Sequence, residues 1–261
     1  MISVQTTPSG APPAPGFGDA VTQSQQTFRA ALQALARSAQ DAYALHSHAQ
    51  ACRHRSAQQA ETVPVAGLAQ DAYPRALTPA RAARMPAVRQ RASAQGLDCS
   101  LSPLAIAPRA DGAALLLLAH PAACRRWGLR PRAAWRDACT LGGAPEAPML
   151  CAQQAALALL RRQAIAPAAL GAVELHDAFA AQGLAFAAAL GLPWQALNAE
   201  GGGLARGHPI GASGAIALVR ALARRAAAVA TQPQALALAC VAGAGGLGSA
   251  TLLGAWNDSN D

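Results

Sequence analysis

"NAEGGGLARGHPIGASGA", residues 198–215, sets one histidine and one proline between two glycine-rich clusters and then enters an apolar helical pattern. Backbone with so little side chain lets another group come close. His208 carries the side chain whose ordinary proton equilibrium lies nearest neutral pH. By pattern alone it is either a functional histidine or a structural loop histidine. Ser213 fails the GxSxG elbow because Gly214 follows it directly, and it reads instead as the start of the next helix.

Downstream, Ile216, Val219, Leu222 and Ala226 fall on one helical face, with Arg220, Arg224 and Arg225 mostly away from it. "ALALACV" (235–241) and "SATLLGAW" (249–256) read as buried strands. Gly243, Gly245 and Gly248 between them spell GxGxxG. The dinucleotide fingerprint needs a following helix and a second strand of a ~30-residue unit. A strand follows here, so the glycines read as a tight turn between two strands.

Upstream, "VELHDAFAAQGLAFAAAL" (173–190) reads as a short strand and then a helix closed by Gly191 and Pro193, with His176 at the junction. "RAAWRDACTL" (132–141) reads as a strand and "CAQQAALALLRRQ" (151–163) as a helix. "DGAALLLLAH" (111–120) is a continuous apolar run, a buried strand or a helix start. Residues 66–98 read as loop with one short helix, and "ETVPV" (61–65) as a short extended piece. Residues 24–60 read as helix broken near Ser38, and 1–18 as a flexible tail rich in Pro and Gly. Strand–helix alternation from Gly128 onward argues for an α/β sheet with helices packed against it.

The chain has 261 residues, 52% of them hydrophobic and only 4% aromatic, and a formal charge of +8 carried by arginine without any lysine. The arginines are scattered and lack interleaved aromatics, so base stacking on nucleic acid is not indicated. No apolar stretch is long enough to span a bilayer, and no signal peptide is evident. Six cysteines, at 52, 99, 124, 139, 151 and 240, form neither CxxC nor a zinc-like His/Cys spacing. The expectation is a cytoplasmic protein with free thiols, no metal, no nucleic acid and no membrane. His46, His48 and His54 read as a solvated helix face. Cys240 reads either as a small core residue or as a thiol exposed by the glycine turn after it.

"VELHDAFAAQ", "NAEGGGLARGHPIGASGA" and "ACVAGAGGLGSA", in that order, resemble the C-terminal half of thiolases, the acyl-CoA C-acyltransferases. Weaker likeness extends to "SAQDAYALHSHAQA", "ETVPV" and "RADGAALLLL", so the resemblance covers residues 36–256. It implies a thiolase-like C-terminal α/β domain with a mixed sheet at 124–261. Before it come a helical and irregular loop domain at 19–98 and a remnant strand of the N-terminal half at 99–123.

The implied activity is Claisen condensation or thiolysis of a 3-ketoacyl-CoA. The coenzyme A thioester is a substrate, and no separate cofactor is needed. On this resemblance His208 activates the nucleophilic thiol and helps bind the thioester oxygen. Cys240 is the acid/base thiol, and His176 orients a water or oxyanion partner. Ala178 and Phe179 line the acyl-CoA pocket, with Gly207, Pro209 and Gly243 also on the substrate side.

Three departures stand out. None of the cysteines lies in the nucleophile's motif, which the family carries in a first α/β half ahead of this region. The run from Cys240 to the last glycine is two residues longer than the family's. "SPLAIAPRADGA" lacks the family's Ala-Ser-Gly stretch that contacts the coenzyme. The chain is therefore expected to be truncated, inactive or partial alone, and completed by a homo-oligomer or a partner chain. The alternative is a non-catalytic acyl-CoA-binding or protein-interaction module.

Overall fold

The structure is a computed structural model that describes residues 35–65, 67–228 and 232–256. The expected tail at 1–18 and the first part of the expected helix at 24–60 lie outside the described residues. Helix α1, Arg37–Arg53, is followed by α2, Arg55–Gln59. The break in this helical stretch falls at His54 and not near Ser38, which lies in the first turn of α1. Residues 67–98 are largely irregular, as read. Their one short helix, α3 at Pro79–Ala83, starts where Thr78 accepts from the Arg81 N–H and proline occupies the first turn.

The sheet has four strands: β1 at Ala134–Gly142, β2 at Leu170–Leu175, β3 at Leu236–Gly243 and β4 at Leu247–Gly254. Their order is β1-β4-β3-β2, with β2 parallel to β3 and the other pairs antiparallel. The turn joining β3 and β4 is Ala244–Gly246, and Gly245 and Gly246 both have positive φ. GxGxxG is thus a hairpin turn, where left-handed backbone favours glycine. Between β1 and β2 runs helix α5, Cys151–Arg162, with Ala152, Ala155, Ala156, Leu159 and Leu160 on its buried face. That spacing is one stripe of a 3.6-residue period.

Helix α6, Ala180–Leu190, follows β2 and ends at Gly191 in the left-handed conformation, as its sequence predicts. The short α7 at Gly203–Arg206 and the long α8 at Ser213–Ala228 complete the crossover to β3. Strand alternation sends Leu238 and Cys240 to the α5 side, where they join a core with Tyr43, Leu159, Val173 and Leu252. Ala237 and Ala239 face α8 and meet Ala217 and Ala221. Alanine on alanine lets α8 lie close to the sheet.

That closeness corrects the expected face of α8. Arg220 and Arg225 are buried, whereas Ile216, Val219, Leu222 and Ala226 are half-buried. The small residues set the contact, and the arginines run along it to carboxylate and carbonyl partners.

Residues 111–120 form neither strand nor helix. Leu115, Leu117 and Leu118 are 89%, 75% and 65% exposed. In place of the strand expected within 99–123 there are isolated bridges and irregular exposed chain, and among the described residues none pairs with residues 111–118 through the backbone. Helix α4, Pro121–Trp127, follows it.

Candidate active site

Two loops meet beyond the C-terminal end of β2, the side of an open α/β sheet where ligands gather. The first is His176–Phe179, leading into α6. The His176 N–H donates to the Cys240 carbonyl at 3.0 Å, extending the parallel pairing by one residue. Asn198 holds the other edge of β2. Its φ is +49°, its Oδ1 accepts from the Leu175 N–H at 2.8 Å, and its Nδ2 donates to the Leu175 carbonyl at 2.9 Å. A side-chain amide thus stands in for a strand peptide.

The second loop is the glycine stretch opening at Gly201. The Gly202 N–H donates to Ser47 Oγ at 3.0 Å, and the Gly203 N–H to Asp177 Oδ1 at 2.5 Å. A Cβ on Gly202 would overlap the Asp177 carboxylate and the Asn198 amide, so the loop can lie here only as glycine. Asp177 is fully buried and also accepts from the Tyr43 hydroxyl at 3.0 Å. Burial still pushes its carboxyl up to about 6, and the Tyr43 and Gly203 hydrogen bonds only partly offset this. Gly207, at φ +101°, turns the chain into His208. The His208 N–H donates to the Pro108 carbonyl at 2.7 Å, and the Ala107 N–H to the Ala178 carbonyl at 2.9 Å. Residues 106–110 therefore strap the two loops together, with bridges from Ile106 to Phe179 and from Arg109 to His208.

The imidazoles of His176 and His208 come face to face across this junction, with ring centroids 4.1 Å apart and planes at 33°. His176 is 7% exposed. Burial, and then the neighbouring His208, push its imidazole down to about 3. Its buried Nε2 has no hydrogen-bond partner among the described residues. His208 is half-buried and also lowered by burial, so both rings are neutral at pH 7. Ser213 Oγ lies 2.8 Å from His208 Nδ1 and donates to the Pro209 carbonyl at 3.0 Å. A hydroxyl has one proton, so with it on Pro209 the serine accepts from Nδ1–H. This assigns the His208 tautomer and leaves Nε2 as a basic lone pair. Ser213 does open α8, as read, but its second role was not visible in the sequence.

The structure gathers His176, His208, Ala178, Phe179, Gly207 and Pro209 around the strap. Cys240 joins them only through its carbonyl. It is not at the end of its strand: β3 continues to Gly243, and Cys240 pairs with Leu175 and Ala250. Its side chain is 2% exposed within the apolar core, and burial pushes its thiol well above the ordinary range. The expectation of a thiol exposed by the glycine turn is corrected, because the turn begins only after three further strand residues. Gly243 closes β3 opposite Leu247.

Behind the glycine loop lies an ion-pair group that sequence reasoning missed. The Glu200 carboxylate pairs with Arg220 and, at 3.1 Å, with Arg224. Arg220 also pairs with Glu61. The Glu200 carbonyl accepts from Gln58 Nε2 at 2.8 Å and Arg206 Nη2 at 2.9 Å. Glu174, at 3.8 Å from Arg224, is raised to about 7 by burial, which outweighs the arginines nearby. Glu200 thereby ties the loop to α2, α7 and α8. Partners this distant in sequence leave no local pattern. Asp177 and Asn198, in contrast, stood inside the motifs already singled out.

Residues 129–255 match the thiolase C-terminal domain family. The chain carries the C-terminal domain of the thiolase family. It is 41% identical over 114 residues to the beta-ketoadipyl-CoA thiolase of Pseudomonas aeruginosa, covering 43% of this chain and 28% of that protein. It is 35% identical over 227 residues to the acetyl-CoA acetyltransferase of Escherichia coli K12, covering 82% of this chain and 55% of that protein. The fold is shared with a thiolase from Ascaris suum solved in complex with coenzyme A, at TM-score 0.71 and 23% identity over 92% of this chain and 60% of that one. It is also shared with human mitochondrial 3-ketoacyl-CoA thiolase, at TM-score 0.74 and 21% identity over 91% and 59%. The chain thus spans about half the length of the longer-matching curated relative. No described helix is long and apolar enough to cross a membrane.

Proposed function

We propose that this thiolase-family chain serves C-acyl transfer between acyl-CoA thioesters, as Claisen condensation or thiolysis of a 3-ketoacyl-CoA. The observation that carries the reading is the neutral imidazole pair on two strapped loops beyond β2, with His208 Nε2 held as the basic atom. In this role His208 takes a proton from an attacking thiol and returns it to the departing one. His176, with its free Nε2 beside the glycine loop, positions a water or the thioester oxygen. Ala178, Phe179 and Pro209 face the acyl-CoA. Free cysteines fit a reducing, cytoplasmic setting.

A second reading has its own support. The buried, raised thiol of Cys240 favours a thioester-binding or protein-interaction module without turnover. Acetoacetyl-CoA thiolysis by the purified chain, paired with calorimetric titration of acetyl-CoA, separates the two. Turnover that is lost in His208→Ala supports acyl transfer. Binding without turnover supports the module, and absence of both rejects any acyl-CoA function for the chain alone.

A further inference from the structure

We propose that Arg109 selects acyl-CoA thioesters whose acyl chain ends in a carboxylate. The inference rests on the acyl-transfer reading above and adds the class of acyl group.

Arg109 is the only charged residue between Asp98 and Asp111. It sits in the strap where the His208 N–H donates to the Pro108 carbonyl and the Ala110 N–H to the His208 carbonyl. The resulting parallel bridge sets Arg109 opposite His208. Opposed residues of neighbouring extended segments project to the same side, with backbones about 4.8 Å apart. The flanking residues agree with this alternation. A Cβ on Gly207 would meet the Ala110 Cβ at 2.6 Å, and one on Gly112 would meet the Pro209 ring at 3.0 Å. Ala110 and Gly112 thus turn to one face of the strap, and Arg109 goes with His208 to the other.

The Arg109 side chain is exposed and, among the described residues, has no hydrogen-bond or ion-pair partner. The other charges nearby are engaged elsewhere or stand apart. The Asp177 carboxylate is held by the Tyr43 hydroxyl and the Gly203 N–H. Arg206 is turned to the Glu200 carbonyl and to Asp71. Asp111 shares the Arg109 face two residues further on and makes no ion pair with it. Both imidazoles are neutral at pH 7, so Arg109 supplies the positive charge beside them.

A guanidinium next to the apolar Ala178, Phe179 and Pro209 discriminates twice. It takes a carboxylate through bidentate, charge-assisted hydrogen bonds. It also penalises a plain alkyl chain, which would strip water from the charge and give nothing in return. A coenzyme phosphate offers the same anionic oxygens. Phosphates sit at the far end of the coenzyme arm from its sulfur, whereas Arg109 stands opposite the histidine assigned to the thioester, so the acyl end is the one within reach.

The test is calorimetric titration of the full chain with glutaryl-CoA, which ends in a carboxylate, pentanoyl-CoA, which ends in a methyl group, and free coenzyme A. Glutaryl-CoA should bind at least about tenfold more tightly than pentanoyl-CoA, the scale of a charge-assisted hydrogen bond. Arg109→Leu should bring the two within about twofold, and Arg109→Lys should keep most of the preference. Added salt should narrow it, since the site is open to solvent. Because the side chain is exposed, neither variant should move the thermal midpoint. Equal binding of the two thioesters, or a preference that survives Arg109→Leu, overturns the proposal. So does an Arg109→Leu loss that is the same for both thioesters and free coenzyme A, which would place a phosphate on the guanidinium. These three results leave the acyl-transfer reading standing. Failure of every thioester and of free coenzyme A to bind rejects that reading, and this inference with it.

Discussion

His176 and His208, thirty-two residues apart in sequence, stack with ring centroids 4.1 Å apart because the strap at 106–110 binds the backbone of both loops. Both rings are kept neutral by burial. This is the state required of a base at pH 7, and it has a cost in acid.

Unfolded, the His176 imidazole takes a proton near pH 6.5; folded, only near about 3. Between those values the unfolded chain binds more protons. The ring's contribution is therefore fully present above the window and is lost as pH falls through it. Asp177 and Glu174, raised to about 6 and about 7, act in the opposite sense, with stability lost as pH rises toward those values. Urea midpoints measured from pH 7 to pH 4 should fall more steeply for the natural chain than for His176→Asn. The difference should reach up to about 3 kcal/mol at pH 4, at about 1.4 kcal/mol per pH unit. Parallel profiles would show that the ring is not desolvated.

Ser213 fixes which nitrogen of His208 carries the proton. In Ser213→Ala, the nitrogen-15 shifts of His208 should move from a pure Nδ1–H form toward a mixture of tautomers. The lost hydroxyl bond to Pro209 should also cost about 1 kcal/mol. Unchanged shifts would mean that the serine does not set the tautomer.

Thiol reactivity should follow burial. Cys52 and Cys139 are half-buried, whereas Cys151 and Cys240 are buried with raised thiols. Iodoacetamide followed by peptide mass spectrometry should label Cys52 and Cys139 first and Cys240 last. Early labelling of Cys240 would show that β3 opens there and would restore it as an acid/base candidate.

Glu200→Gln should destabilise the chain by about 2–4 kcal/mol, because it leaves Arg220, only 5% exposed, with less counter-charge. Denaturant unfolding should show the loss almost equally at low and high salt, since the pair is shielded from solvent. A loss below about 0.5 kcal/mol would mark the pair as a solvated one.

The order of strands and helices from Gly128 onward was legible in the sequence. Apolar runs, the αL glycine after α6 and the glycine hairpin each express a local preference that the neighbouring chain alone imposes. The three motifs likewise marked where His176 and His208 sit. Tertiary structure alone decided the rest. Alanine contacts drew α8 against the sheet and buried Arg220, which a side-chain hydrophobicity pattern assigns to solvent. Three more strand residues after Cys240 sealed its thiol, because register, not the glycine count, sets where a strand ends. Leu115, Leu117 and Leu118 read as core but lie open. Apolarity is a property of residues, whereas burial requires a partner surface, and the described chain brings none to them.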